Sequence, residues 1–170
     1  MRKLLWTLLA LLPLCAGAQN LATTIKVQAM SMATALMKND YRSFSRYMHP
    51  GVIAAAGGDA RMKAKMDSAS ATMKRVGAGF THYWIGNPGP IVRHNNELQA
   101  LVPQRSTVRT PLGMLTVEST LIAISRNEGK DWWFIDCTVY GPQKLKTIIP
   151  DLSPQLVIPP RKKPKLEPLQ

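Results

Sequence analysis

Asp136 stands near the middle of an apolar, doubly tryptophan-bearing segment, KDWWFIDCT, from Lys130 to Thr138. A carboxylate in such surroundings has two uses. Desolvated, its pKa rises toward the range of a general base. Satisfied by hydrogen bonds, it is a structural anchor, the commoner fate of a buried polar group. Ser119, Thr138 and backbone N–H groups are the expected partners, which favours the anchor. His82, in FTHYW, alternates with Phe80 and Trp84 and is expected on their face, at a pocket rim. Asp136 and His82 are therefore the candidate catalytic residues. His94 lies at a strand end beside the turn Asn95-Asn96, and His49 precedes Pro50 at a helix end, where an imidazole meets free carbonyls. Cys137 has no nucleophile signature around it and reads as a small core hydrophobe. No Cys/His cluster has metal-ligand spacing, and neither metal nor cofactor is expected.

Two periodicities position these groups. Ile25, Ala29, Met32 and Leu36 recur at helical spacing over 21–38. Asp40 is placed to cap a short second helix over YRSFSRYMH, which ends before Pro50. GVIAAAGG is a brief apolar segment. Asp59 is expected to cap a third helix, with Met62, Met66, Ala69, Met73 and Val76 as its stripe. From Phe80 the period becomes two, and FTHYWIG, PIVRHN, ELQALVPQRSTVR, MLTVESTLIAISR and DWWFIDCTV read as successive strands. Helices followed by a strand meander is an α+β order.

The turns set a register. With NEGK closing the last hairpin, Leu121 faces Asp136; with TPLG closing the one before, Val108 faces Leu115 and Val102 faces Leu121. One sheet face then carries Leu98, Ala100, Val102, Leu121, Trp132 and Phe134, with Gln104, Ser106, Ser119, Asp136, Thr138 and Tyr140 gathered at one end. An apolar face with a polar patch at one end is the usual make-up of a small-molecule pocket. Phe44, Tyr47 and Met48 of the second helix are expected to wall it. The other face carries a patch of Leu101, Ile122, Ile124, Trp133 and Ile135, too apolar for water, expected to be a dimer interface or the seat of the tail. Pro103 cannot donate to a ladder and is expected to mark a bulge, which puts the placement of Gln104 and Ser106 at stake.

The ends of the chain bear on where it works. MRKLLWTLLALLPLCAGAQN has a basic start, an apolar run from Leu4 to Leu14 and small residues suited to cleavage after Ala18, the pattern of a secretory signal. Leu14 before Cys15 is a poor match to lipidation. The formal charge of +12 falls to +10 without Arg2 and Lys3, and what remains is scattered except for RKKPK at 161–165. A basic surface of this kind favours anionic envelope surfaces by long-range attraction. Export and the lack of a recognition motif argue against nucleic acid. From Pro150 the proline-rich composition predicts an extended tail docked through Leu152, Leu156, Val157 and Ile158, with a free basic end.

The helix running into DYRSFSRYMHPGV, the third helix after GGDA and the meander with ELQALVPQ, LIAIS and WWFID resemble the nuclear-transport-factor-2-like superfamily, over about residues 22–140. The resemblance is closest to small secreted bacterial members without assigned activity. It implies three helices packed on a strongly curved sheet, a cone with a pocket at its open end, and dimerisation through the sheet in many members. The superfamily includes ketosteroid isomerase, polyketide cyclases and dehydratases, but the isomerase's paired acids have no counterpart here.

The expectation is an exported chain with a signal peptide at 1–18, one α+β domain at 20–149 and a basic tail at 150–170. Its function is non-catalytic binding of a small, largely apolar ligand, or of an envelope protein across the sheet. The alternatives are an isomerase, cyclase or dehydratase-like enzyme using Asp136, and an envelope interaction module using the tail.

Overall fold

The computed structural model describes residues 13–168; the basic start and most of the apolar run of the expected signal lie outside the described residues. Helix α1 (Pro13–Met37) continues through the expected cleavage position and buries Ile25, Ala29 and Met32 along one stripe. Helix α2 (Tyr41–Ser45) is capped by Asp40, whose carboxylate accepts the Ser43 N–H at 3.1 Å. No helix among the described residues is long and apolar enough to cross a membrane.

Among the described residues there are five helices rather than three. GVIAAAGG is mostly helix α3 (Pro50–Ala55), because Pro50 presets its first turn and His49 caps it. The His49 Nδ1 accepts the Gly51 N–H at 3.1 Å, so the imidazole faces forward into α3 and not back to α2's carbonyls. In α4 (Asp59–Arg75) the cap position falls on Gly58, and Asp59 instead accepts the Tyr41 hydroxyl at 2.6 Å. No residue of α4 is fully buried: of its methionine stripe, Met62 packs at the margin of a core cluster and Met66 and Met73 are half-buried. Helix α5 (Pro142–Ile148) was hidden in the GPQKLKTIIP segment.

The antiparallel sheet comprises β1 (Gly79–Ile85), β2 (Val92–His94), β3 (Glu97–Thr110), β4 (Gly113–Ser125), β5 (Trp133–Asp136) and β6 (Lys165–Pro168). The order is β1-β3-β4-β5, with β2 also on β3 and β6 also on β4. The register is the one the turns predict: Val108 faces Leu115, Val102 faces Leu121, and Leu121 faces Asp136. Asn95 and Asn96, with φ 44 and 62, form the tight turn between β2 and β3.

Pro103 makes no bulge. The β3–β4 register is unbroken from Leu98 to Thr110. Pro103 accepts the Gly86 N–H through its carbonyl at 2.8 Å, so its nitrogen also points to that side, just where β1 has ended, and no bond to β4 is lost. The bulge lies in β1, between Phe80 and His82. It puts Phe80, Tyr83 and Ile85 opposite Val108, Ser106 and Gln104 on one face, and turns His82 and Trp84 to the other. His82 is consequently exposed and does not share a face with Phe80.

One face of the sheet packs on α1: Ile85, Leu98, Ala100, Val102, Leu121, Trp132 and Phe134 close over Ile25, Ala29 and Met32. Burying an aromatic or branched side chain of this kind contributes roughly 1.5–3 kcal/mol. On the other face the apolar patch is not left open. Ile122, Ile124 and Ile135 are covered by Leu145, Ile148 and Ile149, with Leu101, Leu152 and Ile158 at the margin. The chain's own C-terminal segment is therefore the cover, and Trp133 is half-buried beside it, in edge contact with His49.

Gln99, fully buried, fixes that segment. It donates to the Asp151 carbonyl at 2.8 Å and accepts the Ser153 N–H at 2.8 Å. Beside it buried Glu97 accepts from Gln99 at 2.9 Å and from Arg126 at 2.6 Å. The tail's basic end is not free: Lys162 pairs with Glu118 at 2.7 Å and β6 runs along β4. Val157, expected to dock, is 81 % exposed.

Candidate functional site

The register brings Gln104, Ser119 and Asp136 together from three neighbouring strands. Asp136 is half-buried and accepts four hydrogen bonds. Its Oδ1 takes the Thr138 N–H at 2.8 Å and the Thr138 hydroxyl at 2.7 Å. Its Oδ2 takes the Gln104 amide at 2.6 Å and the Ser119 hydroxyl at 3.2 Å. A carboxylate has about four lone-pair sites, and all are filled from within the chain. Asp136 is thus an anchor tying β3, β4 and the turn after β5. It has no lone pair left to take a substrate proton.

Gln104 spends both amide hydrogens, on Asp136 and on Ser119 Oγ at 2.6 Å. That fixes the orientation of the amide, since only its nitrogen can face the carboxylate, and leaves Oε1 as its remaining acceptor. The Tyr83 phenol is pushed up to about 12 by burial and then by the Asp136 charge, against a hydrogen bond to Ser106. Tyr140 is raised for the first two reasons. Both phenols keep their protons at neutral pH. Burial, followed by Asp136, also pushes the Cys137 thiol up to about 12, so it is not a thiolate nucleophile.

Gln104, Asp136, Tyr83 and Tyr140 form the polar end of a cavity of about 180 Å³ between the sheet, α1, α2, α3 and α4. Its apolar wall includes Met32, Leu36, Phe44, Met48, Met62 and Phe134. Of the residues expected from sequence, Phe44, Met48, Gln104, Asp136 and Tyr140 line it. Tyr47 does not; it packs beside the α1 layer. Ser119 and Thr138 line a different cavity, of about 230 Å³, between β4 and the chain at 159–162. His82 lines neither. Sequence reasoning missed Tyr83, because the bulge at Phe80–His82 reverses the alternation. It also missed Met62, whose stripe reads as core. Among the described residues, no group of three or more His, Cys, Asp or Glu side chains could hold a metal ion.

A third cavity, of about 290 Å³, lies beside the first, lined by Leu36, Met66, Met73 and Phe80 among others. Leu36 lines both, and Phe80 contacts Tyr83 of the first with ring centroids 5.3 Å apart. The α4 stripe roofs the two cavities in turn, with Met62 over one and Met66 and Met73 over the other.

Compared with protein-family models, with curated proteins and with solved structures, the chain matches none.

Proposed function

We propose that this chain is an exported, non-catalytic binding domain that holds a small neutral ligand in the cavity at Asp136. The observation that carries the reading is the contrast within that cavity. Its apolar wall ends on one amide acceptor and two protonated phenols, while the carboxylate behind them is spent. Polar groups so placed orient a ligand, and the one carboxylate among them is not free to act as a base.

Size narrows the ligand. An apolar cavity of ~150 Å³ holds benzene, so about 180 Å³ suits one ring or its aliphatic equivalent. The Asp136 charge disfavours an anion there, and the Gln104 carbonyl asks for a donor. A ring bearing a hydroxyl fits both demands. The signal-like first residues support export, and the helix-then-meander order supports a cone of the nuclear-transport-factor-2-like kind.

Titration with phenol and with cyclohexanol tests this, read by methyl resonances of labelled methionines. Met48 and Met62 are expected to shift in a saturable way with both probes. Ala33→Leu, which fills the cavity wall from α1, should abolish those shifts while leaving the fold's amide spectrum intact. Unmoved Met48 and Met62 methyls in the unsubstituted protein would refute the site.

A further inference from the structure

We propose that the neighbouring cavity of about 290 Å³, between the end of α1 and α4, is a second binding site, for a single-chain amphiphile with an anionic head. It uses a different chamber from the site proposed above and asks for an anionic head where that site takes a neutral ligand.

Three observations point to it. The first is the α4 stripe itself. Met66 and Met73 sit at helical spacing yet are only half-buried, and with Phe80 they line this chamber. Methionine side chains are unbranched and polarizable, and suit surfaces that must adapt to a flexible chain. The second is charge. Lys38 and Lys74 line the chamber and no carboxylate does. Among the described residues neither lysine has an ion-pair partner, whereas Lys63 on the same helix is paired with Asp67. Both lysines sit at helix C-termini, whose partial charge of about one-half offsets only part of an ammonium. A carboxylate head meeting the two would relieve their mutual repulsion.

The third is the roof's attachment. Helix α4 has no buried residue, and it runs between Gly57 and Gly58, at φ 93 and 94, and Gly77, at φ 68. Glycine adopts these angles without steric cost; the Tyr41–Asp59 hydrogen bond holds the first end, so the end at Gly77, beside Met73, is the one free to lift and admit a chain. Scaling from a ~150 Å³ cavity that holds benzene, the chamber takes an alkyl chain on the order of ten carbons. Decanoate is the matching probe.

The experiment titrates the methionine-labelled protein with decanoate, decanol and decyltrimethylammonium. Decanoate is expected to shift the Met66 and Met73 methyls and to bind at least tenfold more tightly than decyltrimethylammonium. K38Q/K74Q, at two exposed positions, should weaken decanoate at least fivefold, leave decanol unchanged and leave the melting temperature unmoved. Equal affinity for the three heads would overturn the proposal, as would Met66 and Met73 methyls that stay still. Decanoate shifts confined to Met48 and Met62 would also overturn it, placing the chain in the first cavity. Phenol uptake at Met48 and Met62 stands or falls independently of all three results.

Discussion

Gln104 of β3 and Asp136 of β5 are joined side chain to side chain at 2.6 Å, although β4 runs between their strands. Ser119 of β4 completes the link, accepting from Gln104 and donating to Asp136. Gln104 and Asp136 line the polar end of the cavity with Ser119 behind them, and this triad decides what Asp136 is for. Replacing it by asparagine puts an NH₂ where one oxygen accepted two donors. Hydrogen bonds to a charged group contribute roughly 1.5–3 kcal/mol each, so Asp136→Asn is expected to cost about 2–4 kcal/mol. Urea denaturation measures it. An unchanged midpoint would mean that the four hydrogen bonds contribute nothing net.

One buried side chain pins the turn after α5 within the C-terminal cover. Gln99 bonds both sides of the turn at Asp151–Ser153 and also Glu97. Gln99→Leu leaves the Ser153 N–H and a buried carboxylate short of partners, at an expected cost of about 2–4 kcal/mol. Hydrogen exchange should accelerate first over 149–158, ahead of the β3–β4 ladder. Exchange that rises uniformly would contradict the assigned role.

Gly113 makes room for β6. A Cβ there would collide with the Glu167 carbonyl oxygen, and its φ is +141. Every residue of β6 is exposed, so Gly113→Ala is expected to release the strand at a stability cost of no more than about 1 kcal/mol. Trypsin should then cut after Arg161, Lys162 and Lys165 several-fold faster, with the remaining domain resistant; Pro164 protects the bond after Lys163.

His49 supplies a pH dependence with a definite sign. Burial, then the Arg126 charge, hold its pKa below the ordinary 6.5, against a smaller opposing pull from Glu97. Its Nδ1 accepts from Gly51, and its buried Nε2 has no hydrogen-bond partner. Above pH 6.5 the imidazole is neutral in both folded and unfolded chains and stability does not depend on it. As pH falls below 6.5 the unfolded chain takes up the proton and the folded one does not, so stability drops toward the lowered folded pKa. The slope from this group is at most about 1.4 kcal/mol per pH unit. His49→Asn keeps an acceptor for Gly51 and should remove this component, seen as a flatter profile of melting temperature between pH 6.5 and 5.

Much of the sheet is legible in the sequence because its turns carry their own chemistry. TPLG and NEGK fix the two long hairpins, and a register once fixed assigns every side chain between them to a face. Leu121 opposite Asp136 follows from that alone. What sequence hides is anything that breaks a period without a turn residue. The β1 bulge has no glycine or proline at Thr81 to announce it, so His82 and Tyr83 exchange the faces that alternation assigns them. Pro103 is the reverse case, a residue that suggests a break where none occurs, because β1 ends before it needs a donor. The α4 stripe misleads for a third reason. Periodicity shows which side chains share a face, but cannot distinguish a face pressed on a core from one that roofs a cavity.

The most direct test of the account is a native mass spectrum of the chain recovered after export from a bacterial host. The expected result is a chain cleaved near Ala18, carrying a mass excess on the order of 100 Da, as for a one-ring ligand, that disappears on denaturation. A bare chain that stays bare when cyclohexanol is added would contradict the ligand-binding function.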